Sequence, residues 1–164
     1  MGALCFAGAN VGPSSFGGHL SLALPTIYDC VEDDEAAVFS PRLDYERNAV
    51  VECGATGSAC VLVHRKVFEA VAAQWGDGSW YRQITHPKAG NTFGEDLSFC
   101  IRARACGFSV CVDTAVKTTH DKSWAFLDEA YFDAQQGNTK GLSPLRTEEV
   151  RPNRAERRRL ERAK

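Results

Sequence analysis

The chain has 164 residues, 44% of them hydrophobic, 24% charged and 10% aromatic, with a formal net charge of −2. That length fits one domain of ordinary size, and that composition excludes disorder, a collagen-like repeat and a coiled coil. Every apolar stretch breaks well before the roughly 20 residues of a membrane-spanning helix, and no Lys or Arg precedes Arg42 to make the basic start of a secretory signal, so a cytoplasmic protein with no membrane span is expected.

Gly2 to Phe6 reads as a short buried strand, and Ala7 to Gly18, rich in Gly, Ser, Asn and Pro, as a long loop that either covers a site or is, equally, a mobile terminal segment. Leu22 to Tyr28 is extended. Glu32 to Glu35 is an acidic turn without an Asp-x-Asp metal motif, and Ala36 to Phe39 is apolar. Val50 to Cys53 reads as a strand, Gly54 to Ser58 as a run of small residues, and Ala59 to Val63 as a buried strand by its continuous apolar character. A helix over His64 to Ala73 follows, with Val67, Phe68 and Val71 on one face. The loop from Trp75 to Gly90 holds Trp75, Trp80, Tyr81 and His86. Leu97 to Cys106 has helical spacing in Leu97, Cys100 and Ile101, and Gly107 is placed to end that helix in the left-handed conformation. Phe108 to Val112 is a strand, Val116 to His120 a further extended piece, and Ser123 to Gln136 an amphipathic helix capped by Ser123. Strands alternating with helices predict an α/β layer architecture.

Seven cysteines without a Cys-x-x-Cys pair predict small buried hydrophobes rather than a disulfide framework or a zinc site. Charge is divided unevenly. Arg146 to Lys164 carries eight basic and four acidic residues, against 11 and 17 in the remainder. Residues 1–140 are therefore expected as the domain and 141–164 as a basic, partly helical or disordered tail, either solvated or in contact with an anionic partner such as RNA or a phosphate surface.

Glu95 and Asp96 open a predicted helix, where unpaired N–H groups and the helix dipole favour negative charge. Two readings stand side by side: simple N-terminal acids, or a rigid, ionised general base. His120, ending an extended piece, reads either as a hydrogen-bonded surface residue or as a ligand.

The order of the pieces bears on that choice. Gly54-Ala-Thr-Gly-Ser-Ala-Cys-Val-Leu-Val-His-Arg-Lys-Val-Phe68, an aromatic loop, Phe93-Gly-Glu-Asp-Leu-Ser-Phe-Cys-Ile-Arg-Ala-Arg-Ala-Cys-Gly-Phe108 and Val112-Asp-Thr-Ala-Val-Lys-Thr-Thr-His120 together resemble the C-terminal half of inverting family-two glycosyltransferases of the GT-A fold. The likeness covers Val50 to Lys122 well and Gly2 to Asp44 more loosely, where Pro25-Thr-Ile-Tyr28 is similar to short phage-encoded members. The resemblance implies a partial GT-A-like mixed sheet with flanking helices. It also implies transfer of a sugar from a nucleotide-sugar donor to an acceptor hydroxyl, with inversion at the anomeric centre. Asp96 matches the acid that takes the acceptor proton, with Glu95 supporting it, and His120 matches a ligand of the Mn²⁺ or Mg²⁺ on the donor diphosphate. Gly54, Thr56 and Gly57 lie where backbone approaches a bound sugar. Trp75, Trp80 and Tyr81 are acceptor platforms or, equally, core residues. The family's nucleotide-binding half, with its Asp-x-Asp, has no counterpart in this chain, so the chain alone is expected to be inactive, and three accounts stand: a truncated or misassigned reading frame, one half of a split enzyme with a separate nucleotide-binding half, or a remnant without catalysis. The alternative is a non-catalytic module that binds carbohydrate or protein through Trp75 to His86, with a tail that contacts nucleic acid.

Overall fold

A computed structural model describes residues 1–13, 19–32, 37–121 and 126–139. The chain divides into two compact units, Met1–Phe132 and Asp133–Lys164. Of the second, residues 133–139 are described, as the last turns of a helix. The expected basic tail and acidic turn lie largely outside the described residues. No helix among the described residues is long and apolar enough to cross a membrane.

The first unit is a mixed α/β structure. Its central sheet joins β1 (Gly2–Leu4), β10 (Val110–Lys117) and β6 (Val50–Cys53) in the order β1-β10-β6, with β1 and β10 parallel and β10 and β6 antiparallel. A second sheet, β5-β4-β7, is formed by β4 (Ile27–Glu32), β5 (Ala37–Pro41) and β7 (Ala55–Thr56). β6 and β7 are separated only by Gly54, whose N–H donates to the Tyr28 carbonyl at 2.7 Å. A Cβ at this position would stand 2.6 Å from the Cys30 Cβ and 2.7 Å from its backbone nitrogen. The glycine is there for the close approach of β4. Gly54→Ala is expected to destabilise the protein by about 1–3 kcal/mol through overpacking, read as a lower denaturation midpoint in urea.

Two helices were placed correctly by their apolar spacing. α1 (Arg65–Trp75) is capped by His64, whose Nδ1 accepts from the Lys66 N–H at 3.2 Å. α2 (Glu95–Ala105) ends as Gly107 predicts: with φ +83 it lets its own N–H reach the Arg104 carbonyl at 2.8 Å, and the Phe108 N–H reach the Ala103 carbonyl at 3.1 Å. Their facing sides close over Val67, Val71, Phe99 and Ala103, with Phe68, Trp80 and Phe108 packed around them. The main core gathers Leu4, Phe6, Ile27, Tyr45, Val112, Leu127 and Phe132.

Three expectations change. The segment read as a loop from Ala7 is strand β2 (Phe6–Pro13), paired antiparallel with β3 (His19–Pro25) from Phe6↔Pro25 to Pro13↔His19. Its Gly, Asn and Pro content disfavours a strand locally, and the cross-strand ladder overrides it. Residues 14–18 lie outside the description. The run Ala59 to Val63 is not a buried strand: it makes a single antiparallel bridge, Gly2↔Val61, and leaves Leu62 74% exposed. Helix α3 (Glu129–Thr139) begins later than expected, with Asp128 as its cap, the Oδ1 accepting from the Tyr131 N–H at 2.8 Å. Before it, β12 (Phe126–Leu127) folds back on β11 (His120–Asp121). Ser123 lies outside the described residues.

Candidate functional site

A cleft of about 240 Å³ opens where the N-terminus of α2 meets the ends of β4, β7 and β11, and it collects Glu95, Asp96, His120, Gly57, Ser58, Thr26, Tyr28 and Cys5. Three of the residues singled out by sequence, Glu95, Asp96 and His120, thus share one space although the two acids open a helix and His120 lies on a strand.

Glu95 and Asp96 are the first two residues of α2, after Gly94, which contributes no side-chain cap. Glu95 is exposed and Asp96 half-buried. Acids in this first turn face the positive end of the helix dipole. The helix is held from below: the Ser98 hydroxyl donates to the Phe93 carbonyl at 3.2 Å and accepts from the Ile84 N–H at 3.0 Å. Asp96 makes its charge felt on three neighbours. Burial raises the Tyr28 phenol above its ordinary pKa, and the Asp96 charge adds to it. The Tyr81 phenol is likewise raised by burial and by Asp96, against a lowering hydrogen bond with Ser58. The Cys100 thiol is pushed up by burial and by Asp96, opposed by its bond to the Thr56 carbonyl. At neutral pH both phenols are therefore protonated, and that of Tyr28, which lines the cleft, can donate to an oxygen there.

His120 sits with its Nδ1 3.0 Å from the Phe6 carbonyl. A carbonyl oxygen only accepts, so Nδ1 carries the proton and the Nε2 lone pair of the neutral ring is left for another partner. One nitrogen is what His120 offers a divalent cation. Among the described residues no group of three His, Cys, Asp or Glu side chains converges to hold one.

The other expected residues divide. Gly57 lines the cleft, whereas Thr56, 5% exposed, lines a larger cavity behind it, and Gly54 serves the strand contact already described. Tyr81 stacks on Phe99 at 4.8 Å, close to Ser58 and Asp96. Trp80 is committed elsewhere: its Nε1 donates to the Phe68 carbonyl at 2.9 Å and its ring meets Phe68 edge-on. Trp75, at the end of α1, does not line the cleft. His86 is buried as a turn cap, its Nδ1 accepting from the Ala89 N–H at 3.0 Å. Buried Arg102 donates to the Arg82 carbonyl at 2.6 Å and so fixes the backbone next to Tyr81.

Thr26 and Tyr28, part of the Pro25 to Tyr28 resemblance, carry no expected site role, and Ser58 belongs to the small-residue turn expected near the sugar. The alternation of an extended segment puts residues 26 and 28 on one face, and that was the signal that could have found them. No family model, curated protein or solved structure matches the chain.

Proposed function

We propose that the chain supplies the acceptor side of an inverting glycosyltransferase with a partial GT-A-like fold. The observation that carries this reading is the shared cleft of Glu95, Asp96 and His120. In the proposed reaction the acceptor hydroxyl attacks the anomeric carbon of a nucleotide-sugar from the face opposite the leaving diphosphate. The Asp96 carboxylate takes the hydroxyl proton as the new C–O bond forms. Glu95, one position earlier and exposed, orients the acceptor from the mouth of the cleft. The protonated phenol of Tyr28 donates to a sugar or acceptor oxygen beside the base. Gly57 leaves room for the sugar ring.

A bound Mn²⁺ or Mg²⁺ would neutralise charge on the departing diphosphate. His120 Nε2 is the ligand this chain would provide, and the remaining donors would come from a nucleotide-binding half and the diphosphate itself. The chain by itself binds and orients but does not complete the site.

Titration of the full chain, supplied with a nucleotide-binding half, with uridine and guanosine diphosphates, with and without manganese, tests the reading. Binding that appears only with manganese and weakens about tenfold or more in His120→Ala supports it. Glycan or RNA binding that needs neither metal nor nucleotide would instead identify a non-catalytic recognition module.

A further inference from the structure

The β1 side of the central sheet ends on residues 60–62. The Ala3 N–H donates to the Cys60 carbonyl at 2.9 Å and the Leu62 N–H to the Met1 carbonyl at 2.8 Å. In an antiparallel pair successive residues turn their N–H and C=O groups to alternate sides. The backbone groups of Val61, bridged to Gly2, therefore point away from β1, and among the described residues those of Val61 and Val63 have no hydrogen-bond partner. Proteins blunt such edges with Lys, Pro or a covering element, yet Cys60, Val61, Leu62 and Val63 include no charge and no proline. Leu62 is 74% exposed, and beneath the edge lies a cavity of about 560 Å³ lined by Val61, Val63, Val67, Phe99, Phe108 and Val110 among others.

Charge identifies the occupant. The edge runs into His64, Arg65 and Lys66, all exposed, at the positive end of α1, whose first turn holds no acid. Arg65 pairs with Glu69 at 2.6 Å, and Lys66 has no carboxylate within ion-pair distance among the described residues. A second copy does not answer this charge: in an antiparallel pairing centred on Leu62, Arg65 and Lys66 would face Ala59 and Ser58.

We infer that this edge receives an added β-strand from a different polypeptide, an apolar extended segment with carboxylates beyond the end that lies against Arg65 and Lys66. Main-chain hydrogen bonds to Val61 and Val63 supply affinity, the apolar cavity takes alternate side chains, and the acidic end fixes direction. The inference stands apart from the transfer reading, because Val61 to Val63 line none of the Asp96 cleft.

The test uses the full chain and labelled synthetic decapeptides of alternating valine and threonine, with three aspartates at either end, and matched peptides with three lysines. One aspartate peptide is expected to bind saturably and to slow amide exchange at Val61 and Val63 by about tenfold or more. Leu62→Lys, at an exposed side chain that folding does not depend on, is expected to weaken that binding. Arg65→Glu with Lys66→Glu is expected to shift preference to a lysine peptide. No saturable binding, or binding that leaves those two amides unprotected, overturns the inference. So does protection that grows with protein concentration without peptide, which would make the edge an interface between copies.

Discussion

Asp96→Asn, in a preparation where a nucleotide-binding half has been supplied and sugar transfer reconstituted, is expected to lower the transfer rate by about 10²–10⁴-fold, the range a positioned general base contributes. Donor affinity should change little, because in the proposed reading the diphosphate would be held on the His120 side of the cleft. The substitution keeps size and shape at the second residue of α2 and forfeits only the helix-dipole term, about 0.3–1 kcal/mol, so the fold is expected to survive. Single-turnover transfer kinetics together with donor titration check both halves of the expectation. Transfer retained within about twofold, or donor affinity lost in parallel with rate, would remove Asp96 from the role of base.

Phe6→Ala is expected to cost about 3–5 kcal/mol of unfolding free energy. Phe6 is wholly buried, its ring 5.5 Å from that of Phe132, in the same core as Leu4, Ile27 and Val112. Domains of this size are stable by only about 5–15 kcal/mol, so the variant should be largely unfolded in mild urea. Equilibrium unfolding by circular dichroism measures it. The substitution leaves the Phe6 carbonyl in place, and with it the acceptor for His120 Nδ1. A loss of under about 1 kcal/mol would mean that this part of the core is not well packed.

The helices were legible because their apolar residues recur at helical spacing and because Gly107 has a local job. Strand β2 was not. Its Gly, Asn and Pro residues spell a loop when read alone, and only the ladder to β3, formed at a distance in sequence, makes it a strand. The run Ala59 to Val63 misled in the opposite sense, since continuous apolar character says that a strand is fit for burial and not that a neighbour covers it. Ser123 was a plausible cap by type, but Phe126 and Leu127 pair back onto His120 and Asp121, and Asp128 caps instead. In the cleft, Glu95 and Asp96 could be read from their place at a helix start. That His120 stands across from them depends on β10 pairing parallel to β1 and on His120 meeting the Phe6 carbonyl, and no local pattern carries that. Tyr28 joins for the same reason, through the pairing of Tyr28 with Ala55 in β7.

One pairing sets the order in which the molecule can be completed. Gly2 pairs with Val112, and the Leu4 carbonyl accepts from both the N–H and the hydroxyl of Thr118 at 2.9 Å. During synthesis residues 2–6 leave the ribosome well before β10, because the strand they settle against is made more than a hundred residues later. At translation rates of about 5–20 residues per second, that is a wait of roughly 5–20 seconds. Through it a fully apolar strand has no native neighbour on its β10 side. Nascent chains stalled before residue 110 should therefore be captured by chaperones, and release from them should coincide with emergence of β10.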